Sequence, residues 1–256
     1  MDKQSFSENF SLDRKTSLIT GAISGIGLEI AKMFARKGAN IIAFDKTDDF
    51  SCLENYCKKS GVGFLSLSGD VRNKIVLEEI VKQSIKLFKK IDILVNCAGV
   101  GLIDNAEKLE ESVWDLTMDV NLKAPFVLSQ IVGSTMIKNG GGKIINIASQ
   151  AGVVALNKHI AYSSSKAGLI MMTKILALEW GKYNIRANCI SPTVILTEMG
   201  KQAWDGKVGE DFKKLIPIGR FGYPEEVAAC AVFLASDASD LINGENIVMD
   251  GGYTIT

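Results

Sequence analysis

Along this chain, short apolar runs alternate with longer segments in which apolar residues recur every three or four positions. The runs SLIT, NIIAFD, GFLSLS, DILVNCA, GKIINIA, IRANCI and ENIVMD read as seven strands. Helices are predicted near 26–37, 74–89, 106–138, 163–180 and 225–235, with a less regular one in 198–216. This alternation is the pattern of βαβ units, so the expected fold is α/β, a doubly wound parallel sheet of about seven strands with helices on both faces. Gly38, after Arg36 and Lys37, reads as a helix stop.

Length adds one constraint to this picture and composition several. A chain of 256 residues can bury a large core, and no linker, repeat or low-complexity stretch divides it, so one domain over 1–256 is expected. Pro192 and Pro217 bracket an irregular stretch, 193–216, that reads as a lid over a substrate, and 1–14 reads as a polar N-terminal extension. Lys plus Arg equals Asp plus Glu at 29 each, and no basic block marks a nucleic-acid or membrane partner; small solutes fit better. The first sixteen residues lack the apolar run of a signal peptide and no stretch is long enough to span a bilayer, so a cytoplasmic protein is expected. The five cysteines form no CxxC pair and His159 is the only histidine, so reduced, structural thiols are expected and no zinc site.

Thr20-Gly21-Ala22-Ile23-Ser24-Gly25-Ile26-Gly27 follows the first strand and opens a helix. Glycines there let the backbone turn tightly and approach a pyrophosphate, whose charge the helix N-terminus favours, as in a Rossmann-type dinucleotide fold. Asp45 ends the second strand, where a carboxylate can accept hydrogen bonds from both adenosine ribose hydroxyls and repel a 2′-phosphate. Ser24 offers that phosphate no cation, and although the adjacent Lys46 could offset the carboxylate in part, NAD rather than NADP is expected.

Between Asn121 and Lys166 lies a set of residues suited to proton transfer without a metal: Asn121 in DVNLKAP, Ser149 in IINIASQAG, and Tyr162 with Lys166 in AYSSSKAG. A free phenol, with a pKa of about 10, is a poor base at neutral pH and needs nearby positive charge to act as one. Lys166 is four residues on, on the same helical face. A hydride leaving or reaching a carbinol carbon must be matched by a proton on oxygen, the role that suits Tyr162, while Ser149 can hydrogen-bond the oxygen where charge develops.

These motifs, in this order, resemble the short-chain dehydrogenase/reductase family over nearly the whole length: TGAISGIG its TGxxxGxG loop, NCAG its NNAG strand end, Ser149, Tyr162 and Lys166 its catalytic set, DGGYT its C-terminal end. The resemblance implies that Asp70 and Val71 flank the adenine, that Asn96, Ala98 and Gly99 lie along the cofactor, that Val194 and Thr197 contact the nicotinamide carboxamide, and that Asn121 holds a water in a relay from Lys166 to solvent. It also implies a homotetramer built from the helices 106–138 and 163–180 and the C-terminal region. Where the family usually has Pro-Gly after the sixth strand, this chain has Pro192-Thr193, and a β-branched residue there requires an ordinary backbone path or bears strain.

Gln150 after Ser149, His159 three before Tyr162 and Trp204 in the lid resemble the L-xylulose reductase and polyol dehydrogenase branch, in which matching residues line the substrate site. An amide and an imidazole suit a small polyol or its ketose, because every hydroxyl withdrawn from water needs a partner. Two alternatives stay open: a 3-oxoacyl carrier-protein reductase, which would need an NADP site and a basic landing surface, and a catalytically silent NAD-sensing regulator.

Overall fold

A computed structural model describes residues 10–197, 200 and 204–256. Most of the expected extension at 1–14 and part of the expected lid at 193–216 therefore lie outside the described residues. The seven apolar runs form strands β1 (Thr16–Thr20), β2 (Asn40–Asp45), β3 (Phe64–Ser68), β4 (Ile93–Asn96), β5 (Gly142–Ile147), β6 (Ile185–Pro192) and β7 (Asn246–Met249). They pair in parallel in the order β3-β2-β1-β4-β5-β6-β7. Central strands read as unbroken apolar runs because both faces of such a sheet are covered.

The helices are α1 (Gly25–Arg36), α2 (Ser51–Ser60), α3 (Lys74–Phe88), α4 (Glu111–Met118), α5 (Ala124–Lys138), α6 (Ile160–Trp180), α7 (Lys207–Lys213) and α8 (Pro224–Ala235). Helix α1 buries Gly27, Ile30, Ala31, Phe34 and Ala35, the stripe a 3.6-residue period places on one face. With Leu53 and Cys57 of α2 and Val227, Ala228 and Ala231 of α8, that stripe fills one side of the sheet. Leu77 and Ile80 of α3, Leu128, Val132 and Met136 of α5, and Leu176 of α6 fill the other. Among the described residues no helix is long and apolar enough to cross a membrane.

Two helix expectations need correction. The stretch 106–138 is not one helix: α4 starts at Glu111, a wide π turn spans Asp119–Lys123, and α5 follows. Helix α2 was not expected at all, since it buries only Leu53 and Cys57 in an otherwise polar segment.

Sequential order reverses between β1 and β4, and ligands of open α/β sheets bind in the crevice that opens there, beyond the carboxyl ends of the strands. Thr20 closes the base of this crevice, its Oγ1 accepting from the backbone N–H groups of Cys97 and Ala98, each at 3.1 Å.

Candidate active site

The glycine loop leaves the end of β1 at Gly21, whose φ of 66° lies in the left-handed region that favours glycine. A Cβ on Gly27 would collide with the Gly21 carbonyl oxygen, so α1 can seat this close to the loop only because Gly27 has no side chain. Ser24 caps α1 in extended conformation, yet its hydroxyl makes no capping bond, and no acidic residue occupies the first turn. Among the described residues the first N–H groups of α1, from Gly25, Ile26 and Gly27, thus have no side-chain partner, as a pyrophosphate site requires. Ile26 packs on the core behind them. Burial pushes the Cys97 thiol up to about 12, which keeps a neutral group beneath the loop.

At the adenosine end, half-buried Asp45 closes β2. Its Oδ2 accepts from Ile23 N at 3.2 Å and its Oδ1 from Lys46 N at 2.7 Å, which orients the carboxylate beside the glycine loop and leaves acceptor capacity for ribose hydroxyls. Lys46 bonds Asp45 through its main chain, while its own side chain is exposed. Asp70 and Val71 follow β3, and Val71 lines the crevice with Thr20, Asn96, Ala98 and Val120. Asn96 is only 3% exposed, and its Nδ2 donates to Asn146 Oδ1 at 2.7 Å and Ser129 Oγ at 3.2 Å. That amide ties β4 to β5 and α5. Taken together, these groups fit a dinucleotide: a glycine cradle that a side chain would fill, uncapped helix N–H groups and a carboxylate at the ribose position.

The residues expected to transfer protons come from three segments. Ser149, just past β5, is 8% exposed, and its Oγ accepts from Ala151 N at 3.1 Å, so its hydroxyl proton remains free to donate. Tyr162 and Lys166 stand one turn apart on α6. Lys166 is 5% exposed, its Nζ donating to the Ile147 carbonyl at 2.8 Å and lying 5.6 Å from the centre of the Tyr162 ring. Asn121, 1% exposed, sits inside the π turn. Its Oδ1 accepts from Val100 N at 2.8 Å, and its Nδ2 donates to Val100 O at 2.9 Å and Ser165 Oγ at 3.2 Å. Both amide hydrogens are thereby committed to protein partners, while Oδ1 keeps one lone pair. A Cβ on Gly99 would lie 3.3 Å from Asn121 Oδ1 and 3.7 Å from Lys166 Nζ; glycine keeps that space open.

The residues expected on the substrate side share fewer contacts with one another. Gln150 is 3% exposed, and its buried Oε1 has no hydrogen-bond partner among the described residues. His159 meets Tyr162 edge-on, with ring centres 6.1 Å apart. Its Nδ1 lies 2.6 Å from the Asn157 carbonyl oxygen, to which it donates, so Nε2 is the ring nitrogen left for a ligand. Lys158, at φ 66°, turns the chain into His159, and its carbonyl accepts from Asp104 N at 3.0 Å, tying this loop to the one after β4. Trp204 packs on Phe212 and Phe221, with ring centres 4.9 and 5.6 Å away.

Thr193 resolves the question its position raised: it has no positive φ, and its N–H donates to Met249 O at 3.0 Å, so the loop takes an ordinary path. Its Oγ1 is buried without a partner among the described residues. Val194 accepts from Gly222 N at 3.0 Å through its carbonyl, and Thr197 Oγ1 accepts from Gly200 N at 3.0 Å. The Thr197 methyl lies against Gly25, 3.0 Å from where a Cβ would stand, so the start of the lid meets the glycine loop. Sequence reasoning missed Thr20, Val100, Ser165 and the Ile147 carbonyl as supports. Thr20 was within reach as the first residue of the glycine motif, whereas the other three act through long-range contacts that leave no local signal.

A family model described as Enoyl-(Acyl carrier protein) reductase matches residues 21–254. The chain is 53% identical over 255 residues to an NAD-dependent glycerol dehydrogenase of Listeria innocua, covering 100% of both chains. It is 48% identical over 248 residues to a D-threitol dehydrogenase of Mycolicibacterium smegmatis, covering 96% of this chain and 95% of the other. Among solved structures, 7α-hydroxysteroid dehydrogenase complexed with NADH and 7-oxo glycochenodeoxycholic acid superposes with a TM-score of 0.92 at 32% identity, covering 97% of this chain and 98% of that one.

Proposed function

The chain belongs to the short-chain dehydrogenase/reductase family, and from that membership we propose that it is an NAD-dependent dehydrogenase of a small polyol, or reductase of the corresponding ketose. The observation that supports the chemistry is the buried Lys166 ammonium, which bonds the Ile147 carbonyl at the end of β5, two residues before Ser149, and lies 5.6 Å from the centre of the Tyr162 ring. The substrate class is supported by the two relatives that bear the names glycerol dehydrogenase and D-threitol dehydrogenase.

NAD, when bound, takes up the hydride from the carbinol carbon or returns it to the ketone. The protein's residues handle everything else. The glycine loop and the start of α1 hold the pyrophosphate, Asp45 the adenosine ribose, Asp70 and Val71 the adenine, Asn96, Ala98 and Gly99 the adjoining backbone, and Val194 and Thr197 the carboxamide end. The Asn96 amide nitrogen is taken up by Asn146 and Ser129, which leaves its Oδ1 and its main chain for the cofactor. Tyr162 exchanges the hydroxyl proton with substrate, the Ser149 hydroxyl donates to the same oxygen, and the buried Lys166 ammonium stands where it balances the negative charge that the Tyr162 oxygen bears during transfer. Gln150 and His159 present polar atoms to the remaining hydroxyls, covered by the lid that carries Trp204.

The exposed apolar residues Met171, Ile175 and Leu178 on α6 and Phe126 on α5 support a homotetramer that buries them, and five free cysteines suit a reducing cytoplasm. Incubating the protein with NAD and a panel of polyols, and following NADH absorbance, tests the assignment. Turnover of glycerol or a tetritol is expected. Silence toward every polyol with efficient turnover of a β-hydroxyacyl thioester would move the assignment to the acyl reductase, and silence toward both to the regulator.

A further inference from the structure

Asp70, in the turn between β3 and α3, is engaged side-on by the guanidinium of Arg72. Arg72 Nε lies 3.1 Å from Oδ1 and 3.0 Å from Oδ2, Nη2 lies 2.6 Å from Oδ2, and the Arg72 N–H donates to Oδ1 at 2.9 Å. A planar fork gripping both oxygens sets the rotation of the carboxylate as well as its position, which a point charge cannot do. A carboxylate has about four lone-pair sites, and the backbone N–H, Nη2 and the shared Nε take up about three, so about one remains for an incoming donor. The pair also keeps Asp70 an acceptor only: the Arg72 bond above all, with Lys46 at longer range, holds its carboxyl below the usual range despite the opposing effect of burial.

As an isolated surface feature this pair would mean little, because both side chains are more than a third exposed, at 45% and 35%, and exposed ion pairs contribute little to stability. Its location gives it another use. Val71, between the two partners, lines the crevice at the β1–β4 reversal, and a residue tied to both its neighbours holds that turn in one shape.

We propose that Arg72 is a positioning residue for adenine recognition, holding the Asp70 carboxylate in the orientation from which it accepts the exocyclic amine of the adenine ring. The proposal rests on the reading of Asp70 as an adenine contact of bound NAD. Since the pair adds little to folding, its loss should change which dinucleotide binds and not how stable the protein is.

The test is calorimetric titration with NAD and with nicotinamide hypoxanthine dinucleotide, whose ring carries an oxygen in place of that amine. The wild-type protein is expected to bind NAD about tenfold or more tightly than the hypoxanthine analogue, since the analogue sets an acceptor against an acceptor. In Arg72→Met the ratio should shrink to about threefold or less, chiefly through weaker NAD binding, with the Tm unmoved. Arg72→Lys, which restores charge without the fork, should fall between the two. An unchanged ratio in Arg72→Met, even with both ligands weakened equally, overturns the role given to Arg72 and leaves Asp70 in place. A wild-type protein indifferent to the two dinucleotides removes Asp70 from the adenine, and the proposal with it.

Discussion

Asn121 and Val100 form a closed pair, the amide oxygen accepting from Val100 N at 2.8 Å and the amide nitrogen donating to Val100 O at 2.9 Å. One side chain thus satisfies the main chain of the loop after β4 as a neighbouring strand would, and it does so from the middle of a π turn. Asn121→Leu should orphan two main-chain groups at about 1–3 kcal/mol each. The expected result is a Tm several degrees lower, faster amide exchange at residues 99–105 and a reduced kcat. Unchanged exchange in that loop would mean that the pair does not hold it.

Tyr162→Phe should abolish turnover, by about three orders of magnitude or more in kcat, and leave NAD binding intact, because it deletes only the ionisable oxygen. The Tyr162 ring still faces Lys166 and His159 in the variant, so the site's packing survives. A variant that keeps a tenth of the wild-type kcat removes Tyr162 from the mechanism.

Cofactor choice should follow Asp45. We expect kcat/KM for NAD to exceed that for NADP by at least about tenfold, or 1.4 kcal/mol, and Asp45→Ser to narrow the gap. Equal use of both cofactors by the unaltered protein would show that Lys46 overrules the carboxylate.

The orphaned Oε1 of Gln150 links stability to function. An unpaired buried acceptor costs about 1–3 kcal/mol, which a substrate hydroxyl can return. Gln150→Leu should therefore raise the Tm of the ligand-free protein while lowering kcat/KM for a polyol roughly 5- to 150-fold and scarcely affecting a simple secondary alcohol. Equal losses on both substrates would deny Gln150 a part in reading hydroxyls.

A pH effect is expected away from the catalytic residues. Arg220 grips Glu226 at 2.7 and 2.9 Å, and that bond, with the Tyr223 N–H, holds the Glu226 carboxyl down at about 2. A depressed folded-state pKa gives stability that is fully present above the ordinary value, 4.5, and is lost as pH falls through about 2. Arg220→Met, followed by circular dichroism, should thus have the lower Tm at neutral pH, by a small margin because the pair is exposed, and the difference from the wild type should shrink as pH falls from 4.5 through about 2. Equal Tm values at neutral pH would show that solvent screens the pair completely.

The strands were legible because each is an apolar run closed by a turn, and α1 because its stripe is wide. Helix α2 escaped notice because Leu53 and Cys57, four residues apart, make too thin a stripe to distinguish it from a polar loop. The π turn was hidden because apolar spacing continues through it; an extra residue in one turn alters hydrogen bonding but not composition. At the site, motifs identified residues but not which of their atoms are free. Asn96 and Asn121 both matched, yet both side chains are bound to protein partners that sequence spacing does not reveal. Trp204 was placed by its position in the lid, and the rings that hold it, Phe212 and Phe221, come from farther along the chain.

The contact between Gly27 and the Gly21 carbonyl divides the glycine loop into positions that can vary and positions that cannot. Helix α1 packs along α8 as well as on the sheet, so a methyl group at Gly27 would lift a structural layer along with the phosphate cradle. Binding and folding are inseparable there, and selection for a new dinucleotide would lose the protein before it changed the preference. Ser24 is exposed and its hydroxyl caps nothing, while Asp45 is only half-buried at a strand end. Drift, or a designer, seeking another cofactor has its room at those two residues, on either side of a loop whose glycines must stay.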